Sequence, residues 1–386
     1  MIFRMTLLWL VIGLPTALGV QSRMSHAQTR MSHHVAFASN EVMPVHDKLN
    51  TAINNETSEK DIIDKIVFVK LHNVGGSTIQ SILHRYCEFH LKSCYVYPSD
   101  KRTGITLDLD DLRSIVSTFQ SEEMPALDIF PNHMVMDTAL LDTLMPSNFK
   151  FSLFRFPLDR VMSSLRYCYD ANTVREIMTL LQQNTESSKC GLPTMSDQVR
   201  PEQVDDLDLV MLTEEYDTSL MMLRKALGWS MFDMMYRKLK EHTEEELRNA
   251  TSVFEAYLNR PADQLNEATR SYLQNCAGPN ETMVYLNAKR RFQNQWSELS
   301  VAEQQQILED TAKFEAARET LEDCCASSPE DTYCLGLLED NKEWNLRYWS
   351  QGYSYTTLGL SGETVASAIT RDSVCMSAVK LALGEV

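Results

Sequence analysis

The chain has 386 residues, 44% of them hydrophobic by type, and a net charge of −17. That apolar content excludes general disorder, and the length allows one large domain with appendages or two domains. The acidic balance speaks against a nucleic-acid partner, which needs clustered Lys and Arg for counterion release; any bound anion must be held by local dipoles and a few placed cations.

The first 22 residues contain an uncharged, mostly apolar run, Met5 to Val20. Its length lies where signal peptides and short membrane anchors meet, so residues 1–22 read as a signal-anchor or a cleaved signal peptide. Either reading puts the rest of the chain in the secretory lumen. Residues 23–60 are polar and aperiodic, and read as a flexible lumenal stem. Three acceptor triplets, at Asn55, Asn249 and Asn280, and nine cysteines suit that compartment. The cysteines lack paired CxxC spacing, so no metal site is expected. Cys87–Cys94, Cys168–Cys190, and Cys324 or Cys325 with Cys334 are plausible local disulfides. The odd count leaves at least one thiol unpaired or used between chains.

A folded domain is expected over residues 61–350, followed by a weakly patterned tail, 351–386. Its first unit is "IVFVKLHNVGGSTIQSILHRY". Ile66–Val69 is a continuous apolar run, consistent with a strand buried on both faces. Ile79, Ile82, Leu83 and Tyr86 then fall at helical spacing. Strand, glycine loop and helix together open a parallel α/β sheet. A second unit is "FKFSLFRFPLDRVMSSL": Phe149–Phe154 reads as a strand, and Pro157 suits the first turn of the helix that follows. A third is "LDLVMLTEEYDTSLMMLRKAL", with a strand over Leu207–Leu212 and a helix face at Leu220, Leu223 and Leu227. Residues 229–325 look mostly helical, and Lys289, Arg290 and Arg291 form their dense basic cluster, read as a solvated helix face.

The loop Leu71–Thr78 has the makings of an anion site. Glycines let backbone N–H groups turn toward a ligand, and the positive end of the following helix dipole faces the same point. Ser77 and Thr78 could cap that helix or donate to a phosphate. No Gly-Lys-Ser/Thr is present, so the loop is not a Walker A motif, and a nucleoside-triphosphate hydrolase or kinase is disfavoured.

The first unit resembles the 5′-phosphosulfate loop of the galactose-3-O-sulfotransferase family. The second is similar to that family's 3′-phosphate site, an Arg-x-Pro at a strand end followed by a helix serine: Arg155, Pro157 and Ser163. Between them "PNHMVMD" resembles the family's His-His-Met stretch, and the third unit is the nearest match, with order and spacing kept. The resemblance runs from about Lys65 to Trp296. It implies a P-loop-like parallel sheet flanked by helices, with a helix-rich C-terminal half. It implies 3′-phosphoadenylyl sulfate as donor, no metal, and a galactose-terminated glycolipid or glycan as acceptor. The implied setting is the Golgi membrane, as a single-pass type II protein with a lumenal catalytic domain.

By the same resemblance Lys70, Asn73, Val74, Gly75, Gly76, Ser77 and Thr78 would cradle the donor's 5′ end, and Arg155 and Ser163 its 3′-phosphate. A guanidinium forks onto phosphate oxygens, and a strand-end position points it into the crevice where open α/β sheets bind ligands. His133 would be the general base, since neutral imidazole accepts a proton near pH 7. His72 and Lys70 would face the sulfuryl group. Glu214 and Glu215 could orient sugar hydroxyls. One departure stands out: the family's loop lysine is Asn73 here. A neutral amide brings no charge to the bridging oxygen, which keeps alive a second reading, a catalytically weak relative that binds glycan or nucleotide.

Overall fold

The computed structural model describes residues 63, 65–95, 106–121, 126–168, 193–237, 267–338 and 373–385. Met5 to Val20, the stem, the triplets at Asn55 and Asn249, and the Cys168–Cys190 pairing lie outside the described residues and side chains. No helix among the described residues is long and apolar enough to cross a membrane.

A four-stranded parallel sheet forms the centre, in the order β2-β1-β3-β4. Strand β1 (Ile66–Lys70) and β3 (Phe149–Phe154) are central and buried at every position, as their unbroken apolar runs require. They pair in parallel with Phe68 opposite Phe151, and the two rings stack at 4.9 Å. Burying each such ring stabilises the fold by roughly 1.5–3 kcal/mol. Strand β4 (Leu209–Leu212) takes one edge, two residues shorter at its start than the apolar run predicts.

Strand β2 (Ile129–His133) takes the other edge, with Pro131 inside it. A proline has no N–H to give a ladder, so an edge is where a strand tolerates one. The apolar pattern around Pro131 gave no strand expectation here.

Helix α1 (Gly76–His90) follows β1 and buries Ile79, Ile82, Leu83 and Tyr86. It ends at Leu91, whose left-handed backbone returns an N–H to Cys87 O, and the Cys87–Cys94 disulfide ties that end down. Helices α2 (Leu109–Ser121) and α3 (Thr138–Leu144) flank β2 in sequence. Helix α4 (Pro157–Cys168) leaves β3 with Pro157 at its first position, as expected. Helix α5 (Tyr216–Leu227) leaves β4 through a short 3-10 turn, Thr213–Glu215, and stops at Gly228, whose φ of 73° closes the helix with an N–H to Arg224 O.

Of the stretch read as mostly helical, residues 267–325 are helical apart from a break at 299–300, residues 229–237 form turns and irregular chain, and residues 238–266 lie outside the described residues. Helix α6 (Glu267–Glu298) bends at Gly278, where φ is 74° and ψ is 167°, just before Pro279. The third acceptor triplet falls at this bend, with Asn280 and Thr282 exposed and Glu281 buried between them. On α6, Lys289 and Arg290 of the basic cluster are exposed and Arg291 is half-buried; Arg290 pairs with Asp205 at 3.1 Å. Helix α7 (Val301–Ser327) opens with a capping box between Ser300 and Glu303.

Two disulfides leave adjacent residues at the end of α7. Cys325 joins Cys334 on α8 (Thr332–Leu338), and Cys324 joins Cys375 on α9 (Val374–Leu383). Part of the segment read as a tail is therefore a helix, with Cys375, Met376, Val379 and Leu383 buried. Its ten residues are too few for the weak patterning to reveal.

Candidate functional site

The ends of β1, β3 and β4 are tied together by hydrogen bonds. The loop after β1 has two left-handed residues close together, Asn73 at φ 60° and Gly75 at φ 89°. Both suit their residue types, since Asn tolerates this region and Gly is indifferent to it. The turn lets α1 begin at Gly76 with no side-chain cap and no acidic residue in its first turn. Its first N–H groups and dipole are thus available to an anion. Gly76 is closely packed: a Cβ there would lie 3.0 Å from Lys70 Cγ and 3.4 Å from Phe68 Cζ, so those side chains would have to give by a few tenths of an ångström.

Thr213, at the end of β4, locks the ends together. Its Oγ1 lies 2.6 Å from Val74 O and 3.0 Å from Phe154 O. Arg155, the residue after β3, donates from Nη1 to Asn73 O at 3.4 Å, so the guanidinium is directed at the glycine turn. Burial lowers the Arg155 pKa, Asp159 and Glu214 oppose that, and Arg160 adds to it. Glu214 accepts a hydrogen bond from Phe156 N, and burial raises its pKa. It therefore braces the second corner, in addition to whatever it offers an acceptor.

The two histidines lie side by side. The rings of His72 and His133 stack at 4.0 Å and 11°. His133 Nδ1 lies 2.8 Å from Lys70 O. A carbonyl only accepts, so Nδ1 carries the proton and the lone pair of the neutral ring sits on Nε2. That is the tautomer a base at Nε2 requires. His72 Nε2 contacts Thr106 Oγ1 at 2.7 Å. Burial, then the charges of Lys70 and Arg160, push the His72 pKa down to about 4, with Asp197 opposing. His72 is accordingly neutral at physiological pH.

Gln198 pins this pair. Its Oε1 accepts from His72 N at 3.0 Å, while its Nε2 donates to Lys70 O at 2.8 Å and Met134 O at 3.3 Å. Nothing in the sequence singled it out, because its partners lie 126, 128 and 64 residues away.

Two of the predicted residues have neighbours that the sequence did not indicate. Lys70 is buried, and its Nζ runs beneath the loop to Gln80 Oε1, whose amide donates in turn to Pro131 O at 2.6 Å. The hydroxyl that reaches the loop is Ser164, which accepts from Asn73 Nδ2 at 2.7 Å. Ser163 is half-buried and lies one helical step, about 100°, around α4 from it. Of the remaining loop residues, Val74 and Thr78 are buried, Ser77 is half-buried and Gly75 is exposed.

The family model described as galactose-3-O-sulfotransferase matches residues 2–183. Human galactose-3-O-sulfotransferase 2 is 24% identical over 225 residues, covering 51% of this chain and 56% of that protein. Human and Bos taurus galactose-3-O-sulfotransferase 3 are each 25% identical, over 209 and 211 residues, covering 45% of this chain and 47% of theirs. The chain thus spans about half the length of the curated relatives it matches. No solved structure gives a significant match. The family match takes in β1 through α4 and so both strand-to-helix corners, and the family this chain resembles is shown to be the galactose-3-O-sulfotransferases.

Proposed function

We propose that the chain is a carbohydrate sulfotransferase. It moves a sulfuryl group from 3′-phosphoadenylyl sulfate to a galactose hydroxyl, the 3-OH, of a glycolipid or glycoprotein glycan. The observation that carries the reading is the contact of Arg155 Nη1 with Asn73 O at 3.4 Å. A nucleotide phosphorylated at both ends needs two anion sites near one another, and the contact between Arg155 and the glycine turn supports that reading.

When bound, the donor supplies the activated sulfuryl group. The loop Asn73–Thr78 and the uncapped start of α1 hold its 5′ end. Arg155 and Ser163 hold its 3′-phosphate. His133 accepts the proton of the acceptor hydroxyl at Nε2 as the hydroxyl oxygen bonds to sulfur. The electron pair of the breaking S–O bond leaves on the phosphate oxygen, where loop N–H groups stabilise it. His72, stacked on His133 and neutral, keeps that ring in place and adds no competing charge. Sulfuryl transfer of this kind resembles phosphoryl transfer in resting on alignment and charge stabilisation, and uses no metal here.

The setting is the Golgi membrane, with residues 1–22 as the type II anchor and the sheet domain in the lumen. The disulfides Cys87–Cys94, Cys324–Cys375 and Cys325–Cys334 support an oxidising compartment. Transfer of labelled sulfate to galactosylceramide and to lactose-type acceptors tests the reading. Transfer that is lost in His133→Ala supports it, and absence of transfer to any galactoside sinks it.

A second reading has its own observation. Asn73 is neutral and its amide is occupied by Ser164, while Lys70 Nζ is turned beneath the loop. A lumenal protein that binds nucleotide or glycan and turns over poorly would look the same. Retained nucleotide binding without transfer would select it.

A further inference from the structure

Behind Asn73 runs a line of buried polar groups that no motif announces. Asn73 Nδ2 donates to Ser164 Oγ at 2.7 Å. Arg160 Nη1 donates to the same hydroxyl at 3.0 Å and to Pro193 O at 2.8 Å. The other side of the guanidinium forks onto Glu281 of α6, through Nε to Oε1 and Nη2 to Oε2, the latter at 2.9 Å. Arg160 and Glu281 are both fully buried. A charge pair withdrawn from water is a poor source of stability compared with apolar packing, so its presence at an anion-binding corner asks for another use.

The charge of Arg160 is felt at the site. It lowers the pKa of both His72 and Arg155. Lys70 acts on His72 as well, ahead of Arg160, with its Nζ donating to Gln80 Oε1.

We propose that Arg160 is a positioning residue for the bound anion: the buried cation that serves the glycine loop through Ser164 and Asn73, with Glu281 as the counter-charge that sets how much of its field the loop receives. The inference rests on the donor reading above and adds a source of charge to it. Glu281 faces Arg160 from α4 and Asp197 from the 3-10 turn Met195–Asp197. Burial pushes its carboxyl up to about 7, against the pull of Arg160 and with the help of Asp197. Below that pH the carboxyl is protonated and Arg160 acts unneutralised; above it the pair is closed and the loop loses field. Nucleotide affinity should therefore fall as pH rises through about 7.

Calorimetric titration of the full chain with adenosine 3′,5′-bisphosphate, between pH 6 and 8, tests this. The quantity to read is the affinity of Glu281→Gln divided by that of the native chain, which cancels the probe's own ionisation. The expected ratio is close to one at the acid end and rises roughly three- to tenfold at the alkaline end, the scale of one unneutralised charge at intermediate dielectric. A ratio that does not change with pH overturns the proposal. Should E281Q fail to fold, Ser164→Ala keeps the ion pair and cuts its link to the loop. Affinity should then drop roughly threefold or more, and unchanged affinity overturns the proposal. No binding by the native chain at any pH overturns the donor reading and this inference together. A pH-dependent ratio without sulfate transfer leaves the inference standing and removes only the enzyme.

Discussion

The turns at residues 71–78 and 155–164 have the same plan, a buried strand running into a helix, and opposite electrostatics. The first offers backbone: an uncapped helix start, two left-handed residues, a neutral Asn73, and a lysine whose head is turned away. The second offers cations, Arg155 toward the crevice and Arg160 behind it. On the proposed reading, a chain of net charge −17 would divide anion binding between dipoles on one side and guanidinium groups on the other. Affinity should depend mostly on the second corner and transfer chemistry on the histidines between them.

Substitutions can break that division or sharpen it. The largest effect is expected at His133→Ala, with sulfate transfer reduced about 10²- to 10⁴-fold; bisphosphate affinity, measured alongside by calorimetry, should stay nearly constant. Arg155→Ala should weaken bisphosphate binding on the order of a hundredfold. Unchanged affinity there would remove the second corner from the donor site.

Next comes Asn73→Lys, which puts a charge into the neutral corner. Sulfate transfer should rise roughly tenfold, half the logarithm of what removing an oxyanion donor costs. The gain is limited by left-handed backbone at φ 60°, which suits Asn better than Lys. Gly75→Ala places a side chain at φ 89°, where its Cβ would meet only ordinary contacts at 3.6 and 3.7 Å. The strain is therefore in the backbone, about 1–2 kcal/mol, visible as a melting point lower by a few degrees. The smallest effect on binding is expected at Lys70→Met, less than about threefold, because its Nζ is already engaged by Gln80 Oε1. A large loss in that variant would show that Lys70 swings out when the nucleotide binds.

Much of the sheet was legible because its central strands are buried on both faces. Ile66–Lys70 and Phe149–Phe154 are unbroken apolar runs, and each leads into a residue that starts a helix, Gly76 or Pro157. The edges were harder: Pro131 disguises β2, and β4 begins later than its apolar run. In the site, residues next to a strand end could be named from sequence, and Arg155 does face the turn. Those that work through distant partners could not. Arg160 finds Glu281 across 121 residues, and Gln198 finds Lys70 across 128. Periodicity says that a helix face is buried, and gives no sign of which polar group it buries against. Ser163 and Ser164 illustrate the same limit, since adjacent hydroxyls on a helix differ only in the direction they point.

The neighbouring half-cystines Cys324 and Cys325 send their bridges to different helices, and this has a practical corollary. The short bridge, Cys325 to Cys334, joins positions nine apart in sequence, while the long one, Cys324 to Cys375, joins positions fifty-one apart. A protease that nicks the backbone anywhere between Cys334 and Cys375 would leave α9 attached. The two fragments should migrate as one band on a gel without reductant and separate once dithiothreitol is added.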